Sequence, residues 1–118
     1  VIPPEIEVRI QHELQTAEES RAAGNEARAR VCARRAAGLA VQAYYLARGN
    51  SRLDTSAYSL LRKFQADPHL PMEWKRIADL LLTKVEKDYT FPVPADVLAE
   101  TRRLIQAIEN SLKGSQLD

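Results

Sequence analysis

The sequence is poor in the residues on which most site chemistry depends. Cys32 is its single cysteine, which excludes an internal disulfide and a multi-cysteine metal site and favours an intracellular, cytoplasmic setting. The two histidines, His12 and His69, belong to no HExxH run and to no close His/Cys/Asp cluster, so neither a metal nor a cofactor is expected. Four scattered glycines cannot build a dinucleotide-binding fingerprint, and no GxxxxGK[ST] phosphate loop occurs. No apolar run approaches the roughly 18 residues of a membrane helix. The opening VIPPEIEVRI lacks the basic flank and apolar core of a signal peptide. A formal charge of +1 sets up no global field that would announce a nucleic-acid partner.

What is present points to helices. With 118 residues, 45% of them hydrophobic and 28% charged, the composition predicts one globular domain over residues 1–118, with short tails at 1–4 and 114–118. Apolar residues at helical spacing predict a first helix over 5–23 on Ile6, Ile10, Leu14 and Ala17, ended by Gly24 before a reversal into an antiparallel second helix. That second helix, 26–48, carries Ala29, Ala33, Ala36, Ala40, Ala43 and Ala47 beside Cys32, Leu39 and Leu46, and its small side chains permit close approach. Leu39 is expected in the core. A third helix is predicted over 55–66 on Ala57, Leu60, Leu61 and Phe64. A fourth runs from Pro71 to about residue 87, burying Trp74, Ile77, Ala78, Leu81 and Val85. Pro92 and Pro94 make residues 90–96 a connector. A fifth helix, 95–112, aligns Val97, Leu98, Thr101, Leu104, Ile105, Ile108 and Leu112. The expected fold is an all-α antiparallel bundle of four to five helices.

Charge is divided along the chain. Residues 1–26 hold six glutamates against Arg9 and Arg21, whereas residues 27–48 hold Arg28, Arg30, Arg34, Arg35 and Arg48 with no acidic residue. Pairing between the two helices is the plain reading. Arg30 and Arg34 share a helical face, with Arg35 adjoining, and so form a candidate phosphate or RNA contact. Tyr44 and Tyr45 point about 100° apart, so that one can enter the core while the other faces a groove or partner, beside the plainer reading of each as a packed aromatic whose hydroxyl reaches water or backbone. Leu80 and Leu82 widen the apolar face of the fourth helix and are candidates for a homodimer interface. Glu86 and Asp88 are two residues apart and do not face each other on a helix, which gives no acid/base pair. No catalytic residue is assigned.

Three segments in this order resemble the HEPN family of helical bundles. They are ARARVCARRAAGLAVQAYYLARG on the second helix, KVEKDY before the proline connector, and ETRRLIQAIENSL on the last helix. The resemblance spans about residues 5–113 and implies a four- or five-helix bundle, frequent homodimers, and roles ranging from RNA cleavage to pairing with a nucleotidyltransferase. It places Lys84 and Lys87 as further candidate phosphate contacts and Asp88 and Tyr89 as candidate groove or partner contacts. Active ribonucleases of the family carry an arginine followed four to six residues later by histidine near this stretch. Here Lys84, Val85, Glu86, Lys87, Asp88 and Tyr89 contain no imidazole, and none follows His69. The expectation is therefore a non-catalytic HEPN-like module that binds a protein partner, RNA or a nucleotide, with a nucleotidyltransferase as its candidate neighbour. A degenerate metal-independent ribonuclease and a structural helix-repeat module are the alternatives.

Overall fold

The computed structural model describes residues 2–50, 56–83 and 96–117, and among them the chain forms five helices. These are α1 (Pro4–Ala22), α2 (Glu26–Ala47), α3 (Ala57–Ala66), α4 (Met72–Leu82) and α5 (Val97–Leu117). Pro4 opens α1, where its missing N–H costs nothing, and Glu5 and Glu7 sit at the positive end of the helix dipole. Gly24 takes φ of +82°, the left-handed conformation expected of it, and Asn25 caps α2 by accepting a hydrogen bond from the Arg28 amide at 3.1 Å. This short connection turns α2 back along α1.

α2 is the central element and packs against α1, α3 and α5, while α4 packs against α3 and α5. Its alanines explain why. Ala29, Ala33, Ala36, Ala40 and Ala43 are all buried, and such short side chains let Ile6, Ile10 and Leu14 of α1 and Leu104, Ile105 and Ile108 of α5 join one apolar core. Only Ala47, in the last turn, is exposed. Cys32 is buried among these residues. Ile2, expected in a tail, is also buried, so the segment before α1 is part of the packing.

α3 and α4 fold over the C-terminal end of α2, and this overturns one expectation. Both tyrosines of the pair are buried, and neither faces a groove. The Tyr44 ring meets Phe64 edge-on at 5.9 Å and Trp74 at 5.7 Å, while Phe64 and Trp74 stack at 5.9 Å. Tyr45 donates its hydroxyl to Asp67 Oδ2 at 2.9 Å. Burial, reinforced by that hydrogen bond, raises the Tyr45 pKa. Asp67 is held below its ordinary value chiefly by the His69 backbone amide, which donates to Oδ1 at 2.9 Å. Phe64 of α3 meets both rings, and Trp74 of α4 completes the cover over Tyr44.

Other differences have similarly local causes. Leu39 is half-buried and packs on the edge of the core beside the groove, and Leu46 is 41% exposed. Trp74 is half-buried. α5 continues through Gly114 to Leu117, where a frayed tail was expected. Val85 and residues 90–95 lie outside the described residues.

Ion pairs tie the helix ends together. Arg21 at the end of α1 reaches Glu26 at 2.7 Å and Asp96 at 2.8 Å, and these hydrogen bonds raise its pKa. Asp96 also accepts from the Ala99 amide, capping α5, and this is the main reason its pKa is lowered. Arg76 of α4 bridges Glu73 and Glu100, so joining α4 to α5.

Among the described residues, Thr101 has a buried side-chain oxygen left unsatisfied. It is fully buried on α5 and its hydroxyl has no hydrogen-bond partner among the described residues. Burying a hydroxyl without a partner costs about 1–3 kcal/mol. Replacing Thr101 with the near-isosteric Val is therefore expected to stabilise the domain by about 1 kcal/mol, seen as a melting point higher by about 4 °C. An unchanged or lower melting point would mean that the hydroxyl is satisfied in solution.

Candidate partner-binding groove

The surface between α1, α2 and the start of α3 holds a groove of about 630 Å³. α2 forms its floor. Val31, Arg34, Arg35, Gly38, Leu39 and Gln42 recur there at helical spacing, on a face that α1 and α5 leave open. From residue 31 to residue 42 this face is about 16 Å long, roughly three turns. Val8, Arg9, His12 and Glu13 form one wall, and Ser56, Ala57, Tyr58 and Leu60 form the other.

The position of the α3 wall follows from one glycine. A Cβ built at Gly38 would stand 2.7 Å from the Ala57 Cβ and 2.8 Å from its Cα, distances that real side chains do not adopt. The two backbones touch because Gly38 has no side chain. α3 begins at this crossing, where the Ser56 hydroxyl accepts a hydrogen bond from the Ser59 amide.

The groove is both apolar and cationic. Val8 at 69% exposure, Tyr58 at 51% and Val31 at 38% are large hydrophobic residues left uncovered, and Leu39 and Leu60 carry the apolar surface inward to the core. Arg9, Arg34 and Arg35 face Glu13 alone as an opposing charge among the lining residues. Arg34 is half-buried. Its Nε donates to the Leu81 carbonyl at 2.9 Å and thus satisfies an acceptor at the end of α4, while its Nη atoms have no hydrogen-bond partner among the described residues. Burial, with the Arg30 charge one turn away, lowers the Arg34 pKa. Arg35 and Arg9 are exposed and make no ion pair among the described residues.

The structure thus divides the predicted site residues. Arg34 and Arg35 come together in the groove, but Arg30, half-buried, does not line it. The expected pairing of α1 glutamates with α2 arginines is replaced by other partners. Glu18 pairs with Arg102 of α5 at 2.9 Å, and the described ion pair between α1 and α2 runs in the opposite sense, from Arg21 to Glu26. Tyr44 and Tyr45 belong to the core. Of the two candidates for a dimer interface on α4, Leu80 enters the core at 8% exposure and Leu82 is half-buried against it. Lys84, Lys87, Asp88 and Tyr89 lie outside the described residues.

Sequence reasoning missed Val8, Arg9, Val31, Gly38 and Tyr58 as site residues. Val8 lies about 200° from Ile6 on α1, and Val31 is likewise out of phase with the buried alanines, so their exposure was legible. Their convergence was not. His12 was placed at solvent, and it is exposed at the rim. Among the described residues no three His, Cys, Asp or Glu side chains gather as metal ligands, and no helix is long and apolar enough to cross a membrane. Comparison with family models, with curated proteins and with solved structures finds no match to this chain.

Proposed function

We propose that this chain is a non-catalytic, HEPN-like helical module that acts by holding a partner in the α1–α2–α3 groove. The carrying observation is the groove itself, in which uncovered aliphatic side chains lie beside a half-buried arginine that pairs with no carboxylate among the described residues. Such a surface favours an amphipathic, negatively charged occupant. The HEPN-like reading is supported by the five-helix arrangement, by the Arg/Ala-rich α2 ending in a tyrosine pair, and by the amphipathic α5. A nucleotidyltransferase is the partner class that this resemblance favours.

A binding role follows from what the groove offers chemically. His12 and Glu13 are adjacent on α1, and neither side chain makes a hydrogen bond among the described residues that would hold it toward the groove floor. The test uses anilinonaphthalene sulfonate, an aromatic anion of suitable size. Its fluorescence should rise on adding the folded wild-type chain and should fall at least about threefold in Val31→Glu, which sets a carboxylate in the groove. Val31 is exposed, so melting behaviour should hold. Equal enhancement by wild type and by cooperatively folded Val31→Glu would place dye binding elsewhere and sink this reading.

A further inference from the structure

We propose that the occupant of the groove is an acidic amphipathic peptide segment, its apolar side chains lying on Val8, Val31 and Leu39 and its carboxylates on Arg9, Arg34 and Arg35. This inference rests on the partner-binding reading above and names the partner's chemistry. Three observations carry it. The first is shape, because the open face of α2 is straight and about three turns long, matching a short helix or an extended segment of a few residues. The second is charge complementarity, since three arginines line the groove against one glutamate.

The third observation is the state of Arg34. Its Nε is fixed by the Leu81 carbonyl, which orients the guanidinium, and its Nη atoms remain without a hydrogen-bond partner among the described residues. A planar fork of this kind accepts a carboxylate bidentately. Desolvation by burial, with Arg30 nearby, disfavours the free cation, and the attraction of an incoming carboxylate offsets this.

The same observations favour peptide over nucleic acid. Binding of single-stranded RNA relies on aromatic platforms and a track of cations. The lining has one aromatic ring, Tyr58, which already has the Arg62 guanidinium 5.8 Å from its centroid. The remaining apolar surface is aliphatic, which suits leucine or valine side chains better than bases.

Fluorescence anisotropy with the full chain tests the proposal. The probe is a labelled peptide of about three helical turns, with leucines at helical spacing flanked by glutamates, set against the same peptide with glutamine for glutamate and against oligouridylate. The acidic peptide should bind about tenfold more tightly than the neutral one, and its affinity should fall as salt rises. In the Arg9→Glu/Arg35→Glu variant, which alters exposed residues only, acidic binding should weaken by about tenfold while neutral binding stays within about twofold. Equal affinity for the acidic and neutral peptides overturns the charge assignment. Tighter binding of oligouridylate, lost in the same variant, overturns it in favour of nucleic acid. A wild-type dimer in sedimentation velocity that Val31→Glu dissociates would make a second copy the occupant. If the dye binds in the groove and the acidic peptide gains nothing, the peptide inference alone fails; if the dye does not bind there, the partner-binding reading fails first.

Discussion

Phe64→Ala is expected to lower the stability of the domain by about 3–5 kcal/mol, a large share of the 5–15 kcal/mol typical of a domain. Phe64 is fully buried, and its ring touches three others, stacked on Trp74 and edge-on to Tyr44 and Tyr45. Truncation removes the ring that joins α3 to both α2 and α4. The neighbouring rings are too rigid to collapse into the space, so the cavity persists and adds to the lost transfer free energy. Urea unfolding with an unchanged m-value would report the loss directly. A loss below about 1 kcal/mol would mean that α3 and α4 do not pack on α2 in this way. Because the cluster lies at the far end of α2 from Val31, a folded Phe64→Ala protein in the cold should keep part of its dye binding.

Gly38→Val is the second large effect, and it acts on stability and on the groove together. In most helix interiors replacing glycine stabilises, by up to about 1 kcal/mol for alanine. Here the sign reverses. The nearest atoms to an added Cβ are the Cα and Cβ of Ala57, and neither can swing away as the tip of a long side chain would. α3 must shift as a unit, at a cost of about 1–3 kcal/mol for alanine and more for the branched valine. Since α3 carries Tyr58 and Leu60, its displacement should also weaken dye binding, and Gly38→Ala should fall between wild type and Gly38→Val in both measurements. A Gly38→Val protein as stable as wild type would show that the two helices are farther apart than the structure has them.

The outcome for individual residues shows how far periodicity reaches. Ile6, Ile10 and Leu14 on α1, and Leu104 and Ile108 on α5, are buried as their spacing indicated, because a helix that buries one face repeats that face every three or four residues. Gly24 ends the first helix as read, since a left-handed residue there has a local steric cause. The tyrosine pair and Leu39 came out differently. Their surroundings are set by α3, which lies more than ten residues away in the chain and whose crossing point depends on Gly38. A glycine inside a run of alanines reads as a mild helix breaker, and only a second backbone pressed against it reveals its use.

The candidate site was legible in its parts alone. Arg34 and Arg35 could be placed on one face of α2 from their spacing, and this much was determined by the helical repeat. That Val8, Arg9 and Tyr58 stand beside them, that Arg34 is anchored on the end of α4, and that Leu80 is covered while Val31 is not, were decided by how the helices pack. The sequence by itself determined the helical class, most helix boundaries and most core faces, because these follow from interactions within a few residues along the chain. The groove exists only in the tertiary structure, because it lies between three helices whose angles and separations depend on the volumes of side chains from distant parts of the chain.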